Sequence, residues 1–306
     1  MTTVARPLDR PALNVPALGM SVAAIAALAL ALRAPIGLTL VGFVLFGALH
    51  NLLELRYVLG RFAGLLSGRF LAVLLGLITA IALARLVSGR YAEIVLGYAV
   101  LIVAGVWALR GRRFAMAALV AVLAGAAALS LTHPAHHFVV LTHLHNLVPL
   151  AFIWEWARNS PMIRAVSAAW VLIIPAGLLL GLGDGLMRLD GPTRLSPAAS
   201  PLFEGTTAAR FLAVFAFLQS MHYVVWVWLL PRYAPAATAR FEQRLPGLKG
   251  WRIWALGAFA AAILAIVLWA DYGTGRGIYA SLAGYHAYLE FPVLLLMLMS
   301  FRKGQS

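Results

Sequence analysis

The sequence predicts an all-α, polytopic integral membrane helical bundle of about ten transmembrane helices, with both termini in the cytoplasm. Of the 306 residues, 63% are hydrophobic, and the mean hydropathy is +0.91. Apolar runs recur from position 17 to position 301 and approach the ~20 residues that a helix needs to cross a bilayer. Because no polar block is large enough to fold alone, we expect residues 1–306 to form a single transmembrane domain with a short polar tail at 1–16.

Ten segments fit this length along the chain. They are 17–33, 36–57, 70–88, 91–109, 113–132, 136–157, 162–182, 208–231, 251–270 and 277–300. The two longest polar connections, 183–207 and 232–250, contain Pro, Gly and charged residues, as connecting loops do.

The positive charge is distributed unevenly across these connections. The net charge is +14, which by itself also suits a nucleic-acid-binding protein. With the N-terminus in the cytoplasm, 17 Lys and Arg lie on the cytoplasmic side and seven on the outer side, out of 24 in all. This asymmetry follows the positive-inside rule, so the basic residues anchor helices at the cytoplasmic lipid surface. We therefore predict a multi-pass protein of the cell membrane. Its expected partner is the lipid bilayer, and we expect it to bind no nucleic acid.

The absence of cysteine restricts the chemistry. With no Cys in the chain, disulfides, iron–sulfur clusters, thiolate zinc sites and covalent haem attachment through Cys-x-x-Cys-His are all excluded. Any metal must be bound by imidazole and oxygen.

Four histidines lie well inside predicted spans. His50, His145, His222 and His286 fall on spans two, six, eight and ten, which all run from the outside to the cytoplasm. At ~1.5 Å per residue their depths differ by only about 6 Å. Ionisable groups are costly in a bilayer and usually face the bundle interior. Convergent imidazoles of this kind indicate a metal site.

Glutamates accompany two of these histidines. Glu54 follows His50, and Glu290 follows His286, each by four residues, so each pair shares one helix face. Glu54, Glu155 and Glu290 are the three acidic residues that we place within spans. We predict that Glu54 and Glu290 take part in the chemistry by orienting a histidine, on their own helix or across the bundle; the alternative is that one of them binds the metal directly.

The sixth span offers two histidines, of which only one can face a single centre. His143 and His145 are about 200° apart around a helix. We prefer His145, because Pro149 lacks the N–H that would bond the His145 carbonyl and the helix is loosened there. His143 and His137, the latter at the outer mouth, are weaker candidate ligands.

Aromatic residues flank the histidines. Tyr223 and Tyr285 are next to mid-span histidines, and we expect them to line a pocket and to take part in catalysis. A wide apolar and aromatic tunnel would suit a long lipid-like substrate.

Two segments and the overall size resemble the Brp/Blh family of membrane β-carotene 15,15′-dioxygenases. The segments are FGALHNLLELRY around His50 and LQSMHYVVWVWLLPR around His222. The resemblance implies a polytopic helical bundle with a histidine-ligated non-haem iron that cleaves a carotenoid with O2 to give retinal. The chain departs from the family where His50–Asn51 with Glu54 replaces a His-Gly followed by an acidic residue. His222 also stands alone where the family has two nearby histidines.

Together these observations predict a membrane metalloenzyme. The predicted cofactor is Fe(2+), bound by the four mid-span histidines, with O2 and an apolar small molecule as substrates; Cu and Zn also suit imidazole ligands. Two alternatives remain open at this point. One is a membrane haem or quinone electron-transfer protein with axial histidines, and the other is a proton-coupled transporter that uses the His/Glu pairs as a relay.

Overall fold

The chain folds as a bundle of long helices, which confirms the predicted fold class. The structure, a computed structural model, describes residues 15–87, 89–196, 198–200 and 202–301, and these contain no β-strand. Most of the predicted polar tail at 1–16 lies outside the described residues, and the first helix begins at Val15.

Ten helices are long and apolar enough to cross a membrane, so the described chain is that of a multi-pass membrane protein. They are α1 (Val15–Arg33), α2 (Pro35–Arg61), α3 (Gly68–Leu86), α4 (Arg90–Ala108), α5 (Arg113–Thr132), α6 (Pro134–Trp156), α7 (Pro161–Leu179), α8 (Gly205–Tyr233), α9 (Trp251–Ala270) and α10 (Tyr272–Phe301). These bounds agree with the predicted spans to within a few residues.

Proline marks where several helices begin. Pro35, Pro134 and Pro161 are the first residues of α2, α6 and α7. The first position suits proline because its N–H has no intrahelical partner in any case. These starts leave short connections, so consecutive helices pack as antiparallel neighbours.

The helices that carry the mid-span histidines meet near the centre of the bundle. α8 is the most buried helix and packs against α1, α2, α6 and α7. α2 also packs against α9 and α10, and α10 covers α3 and α4. α5, all of whose residues the structure describes, packs mainly on α4 and has no buried residue.

Two central helices are irregular beside their histidines. α6 consists of two segments, Pro134–Leu147 and Pro149–Trp156, which are separated at Val148. α8 widens into a π-helical stretch at Val224–Leu229, which begins two residues after His222. Such π turns are frequent at functional sites.

The two long connections differ in structure. The connection at 183–207 contains the single turns Asp184–Leu186 and Thr193–Leu195. The connection at 232–250 is mostly the short helix Pro235–Arg244, which packs against α2.

Candidate metal centre

Four potential metal ligands converge inside the bundle. His50 and Glu54 of α2, His222 of α8 and His286 of α10 each offer one ligand atom, and these atoms all lie within 4.8 Å of one another. None of the four residues is more than 2% exposed. Burying so many polar groups away from water is costly unless they share partners.

His145 of α6 brings a fourth imidazole to the cluster. Its Nε2 lies 3.2 Å from Nε2 of His286, which in turn lies 3.3 Å from Nε2 of His50. The His145 and His222 ring centroids are 4.7 Å apart. The structure therefore places all four predicted histidines together.

The hydrogen bond of His50 determines which of its nitrogens has a free lone pair. His50 Nδ1 lies 2.8 Å from the carbonyl oxygen of Phe46. A carbonyl only accepts, so Nδ1 carries the proton and the neutral ring presents a lone pair at Nε2. The lone pair of His50 points toward Nε2 of His286. Nε2 of His145 approaches the same atom of His286 from another helix.

Hydrogen bonding within the cluster cannot satisfy all three of these nitrogens. Nε2 of His286 has either one hydrogen or one lone pair in the plane of its ring, yet it approaches both His50 and His145. A shared cation would accept all three lone pairs at once. Imidazole nitrogens are common ligands of iron, copper and zinc.

Glu54 faces the same point as the imidazoles. Its Oε2 lies 3.7 Å from Nε2 of His222 and 4.0 Å from Nε2 of His286, and it has no hydrogen-bond partner. Of the two roles left open for this residue, its position beside the ligand nitrogens favours direct binding of a metal.

Glu290 contacts a histidine of another helix, His145 of α6, rather than His286 of its own helix. Its Oε2 lies 2.8 Å from Nδ1 of His145, and the carboxyl group is also adjacent to Glu54 and Trp226. The distance between Glu290 Oε2 and His145 Nδ1 is that of a hydrogen bond, but the angle at the contact does not meet hydrogen-bond geometry. A carboxylate on the outer nitrogen of a ligating histidine orients the ring and fixes its tautomer.

The break in α6 lies at the cluster and weakens the bonding of one carbonyl group. Because Pro149 has no N–H, the carbonyl oxygen of His145 lacks its usual helical donor, and the backbone donor it has is the Val148 N–H, at 3.2 Å, which it shares with Leu144. The same carbonyl approaches the ring of His222. The loosened helix predicted at Pro149 therefore lies directly at the site.

Buried polar atoms without partners are concentrated here. Native proteins leave few such atoms, so a group of them requires a physical explanation, such as a bound ion or water or a catalytic role. In the cluster they are Glu54 Oε2, His145 Nδ1, both ring nitrogens of His222, His286 Nδ1 and both carboxyl oxygens of Glu290. The donor set, which consists of nitrogen and oxygen atoms only, fits a divalent cation.

A cavity of about 560 Å³ reaches the cluster. Such a volume is within the ~300–1,000 Å³ of typical ligand pockets. The four cluster histidines line its inner end, and Arg85, Arg90 and Arg276 line the end nearest the helix termini on the predicted outer side.

Two tyrosines line the cavity beside the cluster. The Tyr223 ring centroid lies 4.7 Å from that of His50, and Gln219 Nε2 donates to the Tyr223 hydroxyl at 2.6 Å. Gly42 makes room for this ring, since a Cβ there would come within 2.9 Å of Tyr223 Cε2. Tyr279, which the sequence did not single out, lines the same cavity.

Three predicted residues lie away from the cluster. Tyr285 faces α3, where its hydroxyl is 2.9 Å from Thr79 Oγ1, because adjacent residues on a helix point about 100° apart. His143 lines the cavity but not the cluster, and it packs against Phe211 and Phe215. His137 bonds Ser130 Oγ at 3.1 Å in a separate groove. The structure thus does not bring Tyr285 to the histidines.

The cavity wall contains a buried ionic group, Glu93 with Arg85, that the sequence did not predict. Glu93 in the first turn of α4 is a fourth acidic residue within a span and is 4% exposed. It accepts hydrogen bonds from Arg85 Nε at 2.8 Å and from the Tyr288 hydroxyl at 2.7 Å. The only sequence signal was an arginine near a glutamate at a helix end, which usually marks the membrane interface.

An aromatic layer closes the bundle on the other side of the cluster. Tyr57, Phe152 and Trp226 follow the site residues toward the C-terminal ends of α2, α6 and α8, and all three are buried. The Tyr57–Trp226 ring centroids are 5.6 Å apart, and those of Phe152 and Trp226 are 5.3 Å apart. The cluster is therefore open toward the Arg-lined cavity and sealed on the opposite side.

The chain matches no protein-family model, no curated protein and no solved structure, so the resemblance to the Brp/Blh family stays a prediction.

Proposed function

We propose that this protein is a histidine-ligated metal oxygenase of the cell membrane that acts on an apolar substrate. The observation that carries the proposal is that Nε2 of His286 lies 3.3 Å from Nε2 of His50 and 3.2 Å from Nε2 of His145, in a buried site that Glu54 and His222 complete. A metal ion between these atoms would accept the lone pair of each nitrogen, which hydrogen bonds among the three rings cannot all satisfy.

Iron suits this donor set. Imidazoles together with a carboxylate and open positions are typical of non-haem Fe(II) oxygenases, whereas Cu(I) prefers soft sulfur ligands. His50, His145, His222, His286 and Glu54 would hold the ion. A bound Fe(II) would supply the redox chemistry that makes O2 reactive toward a carbon–carbon double bond.

The reaction that we propose adds both oxygen atoms of O2 across one C=C bond. That bond is cleaved to two carbonyl groups, so no further oxidant or reductant is required. The resemblance to the Brp/Blh family favours a carotenoid as the substrate. Tyr223 and Tyr279 flank the inner cavity and would position the reacting double bond against the histidines. The aromatic layer around Trp226 would keep water from the opposite side.

The two alternative functions have less support. A bis-histidine haem needs space for a porphyrin between its axial rings, and here the ring nitrogens are in direct contact. A proton relay through the cluster would have to cross the aromatic layer of Tyr57, Phe152 and Trp226, which closes one side of the cluster in this structure.

Two histidines on one helix provide the test. We expect detergent-purified wild type to hold about one iron per chain and to consume O2 when β-carotene is added. His145→Ala should lose both the metal and the activity, because its Nε2 belongs to the cluster. His143→Ala should keep the metal and lose at most ~1 kcal/mol of stability from a helix–helix contact.

The readouts are elemental analysis, O2 uptake and the visible spectrum. Wild type without stoichiometric metal, or equal metal loss in His143→Ala and His145→Ala, would contradict the proposal. A strong Soret band would replace it with the haem alternative.

A further inference from the structure

A second cavity lies beside the metal-centre cavity. This lateral groove has a volume of about 570 Å³ and is formed by α4, α6 and α10, with the C-terminal end of α5. Val100, Leu101, Val140 and Leu144 are among its walls, which are almost entirely apolar.

The groove opens at the side of the bundle. Val140 is 54% exposed, Leu144 47% and Leu129 64%, although all three are apolar. They belong to membrane-spanning helices, so this opening faces lipid chains. Molecules that reach it must be dissolved in the bilayer.

The lateral groove and the metal-centre cavity share a wall. Leu141, Tyr288 and Phe291 line both. Tyr288 is held in place by its hydrogen bond to Glu93, whereas Leu141 and Phe291 are only partly buried apolar side chains. Movement of these two side chains would join the two spaces into one path from the bilayer to the histidines.

The groove has a polar end. Ser130 bonds His137 Nδ1 at 3.1 Å and the Tyr98 hydroxyl at 2.9 Å, and His133 and His136 lie nearby. Its lining contains hydroxyls and imidazoles but no carboxylate, guanidinium or ammonium group. Such a site suits a long hydrocarbon chain that is uncharged or ends in a hydroxyl.

We propose that the lateral groove binds the hydrocarbon chain of a neutral isoprenoid or polyene drawn from the bilayer, and delivers it past Leu141 and Phe291 to the metal centre. The delivery step rests on the proposed oxygenase function, whereas the binding step does not. Three observations carry the binding step: the apolar lining, the opening toward lipid and the wall shared with the cavity.

Photo-cross-linking tests the binding step without activity. We would place p-benzoylphenylalanine at Val140 on the groove rim, or at Val122 as a control, in nanodiscs that contain a small fraction of squalene. Val122 of α5 is 67% exposed and does not line the groove. We expect the squalene-to-phospholipid ratio among adducts at position 140 to exceed that at position 122 several-fold, as read by intact-protein mass spectrometry.

A groove-filling variant makes the test specific. Leu101→Trp in the Val140-labelled protein should abolish the enrichment, whereas Val122→Trp should leave it unchanged. Leu144→Trp replaces Leu101→Trp where the latter lowers the melting temperature. Equal adduct ratios at positions 140 and 122, or enrichment that survives groove filling, would overturn the proposal.

The same measurement on metal-free protein separates the two proposals. Enrichment should persist without metal, since the groove contains no proposed metal ligand of the cluster. In active protein, Leu101→Trp should raise KM for the polyene while leaving the iron content unchanged. An unchanged KM would refute delivery through the groove even if binding is found.

Discussion

Glu54 and Glu290 occupy the same sequence position relative to a histidine, yet the fold gives them different partners. Glu54 Oε2 faces the Nε2 atoms of His222 and His286, on the side where the ligand lone pairs converge. Glu290 instead meets Nδ1 of His145, on the far side of that ring. The first position suits a metal ligand, and the second suits a group that orients one.

Exchange of each carboxylate for an amide should separate these roles. We expect Glu54→Gln to reduce metal occupancy as severely as the loss of a histidine does, because a charged ligand is removed. Glu290→Gln should weaken metal affinity by ~10–100-fold, the usual effect of changing a group that orients a ligand. Competition titration with a chelator measures both affinities.

The control is Glu155→Gln, which removes the carboxylate of a partly buried glutamate that pairs with Arg61 outside the cluster. It should leave metal affinity unchanged. Equal losses for Glu54→Gln and Glu290→Gln would show that the two carboxylates have the same role, contrary to their geometry.

Among the elements, the short helix Pro235–Arg244 is tied to α2 by one carboxylate. Glu242 pairs with Arg56, which is 7% exposed, and accepts a hydrogen bond from the Gly250 N–H at 2.9 Å. The Gly250 N–H first, and then Arg56, hold the pKa of Glu242 below its ordinary value of 4.5. The ionised carboxylate therefore stabilises the docked helix.

This lowered pKa predicts how stability depends on pH. A carboxylate whose pKa is depressed by folding contributes stability that is fully present above its unfolded pKa, near 4.5, and is lost as the pH falls through the lower folded pKa. Glu242→Gln should therefore be less stable than wild type at neutral pH, and the difference should shrink in acid below that pKa. Melting temperatures in detergent across this range measure the effect.

Glu204→Gln is the matched control, since Glu204 is an exposed glutamate at the start of α8. It should not reproduce the pH-dependent difference. A difference between wild type and Glu242→Gln that stays constant with pH would mean that the ionised carboxylate does not hold the helix in place.

For the molecule as a whole, ten spans place the first and last helix ends on the same side of the membrane. The excess of Lys and Arg in alternate connections predicts that this side is the cytoplasm. The cavity mouth with Arg85, Arg90 and Arg276 would then face outward, and the short helix Pro235–Arg244 would face inward.

Cysteine labelling tests this orientation, because the native chain has none. Thr193→Cys and Gln243→Cys introduce exposed thiols in the two long connections. In intact cells a membrane-impermeant maleimide should label position 193 and not position 243, and permeabilised cells should give labelling of both. The reverse pattern would invert the predicted topology and the direction in which the cavity opens.

Local properties of the chain predicted much of this architecture. The length and apolarity of a segment decide whether it spans a bilayer, so the ten helices could be located without knowledge of their neighbours. A histidine is costly in lipid wherever it occurs. For that reason the sequence alone predicts that His50, His145, His222 and His286 are functional. Pro149 likewise marked the loosened part of α6, since a missing N–H is a property of one residue.

The direction in which each side chain points within the bundle depends on how the helices pack, and the spacing of residues in the sequence does not reveal that packing. The rotation of α10 turns Tyr285 toward Thr79 and places Tyr279 in the cavity. The side-chain contact between α6 and α10 places Glu290 against His145 rather than against His286 of its own helix. Glu93 joined the cavity wall only because α3 and α10 bring Arg85 and Tyr288 to it. Each of these contacts joins residues far apart in the chain, and the rotation of one helix against another, which decides them, is determined by the whole interface.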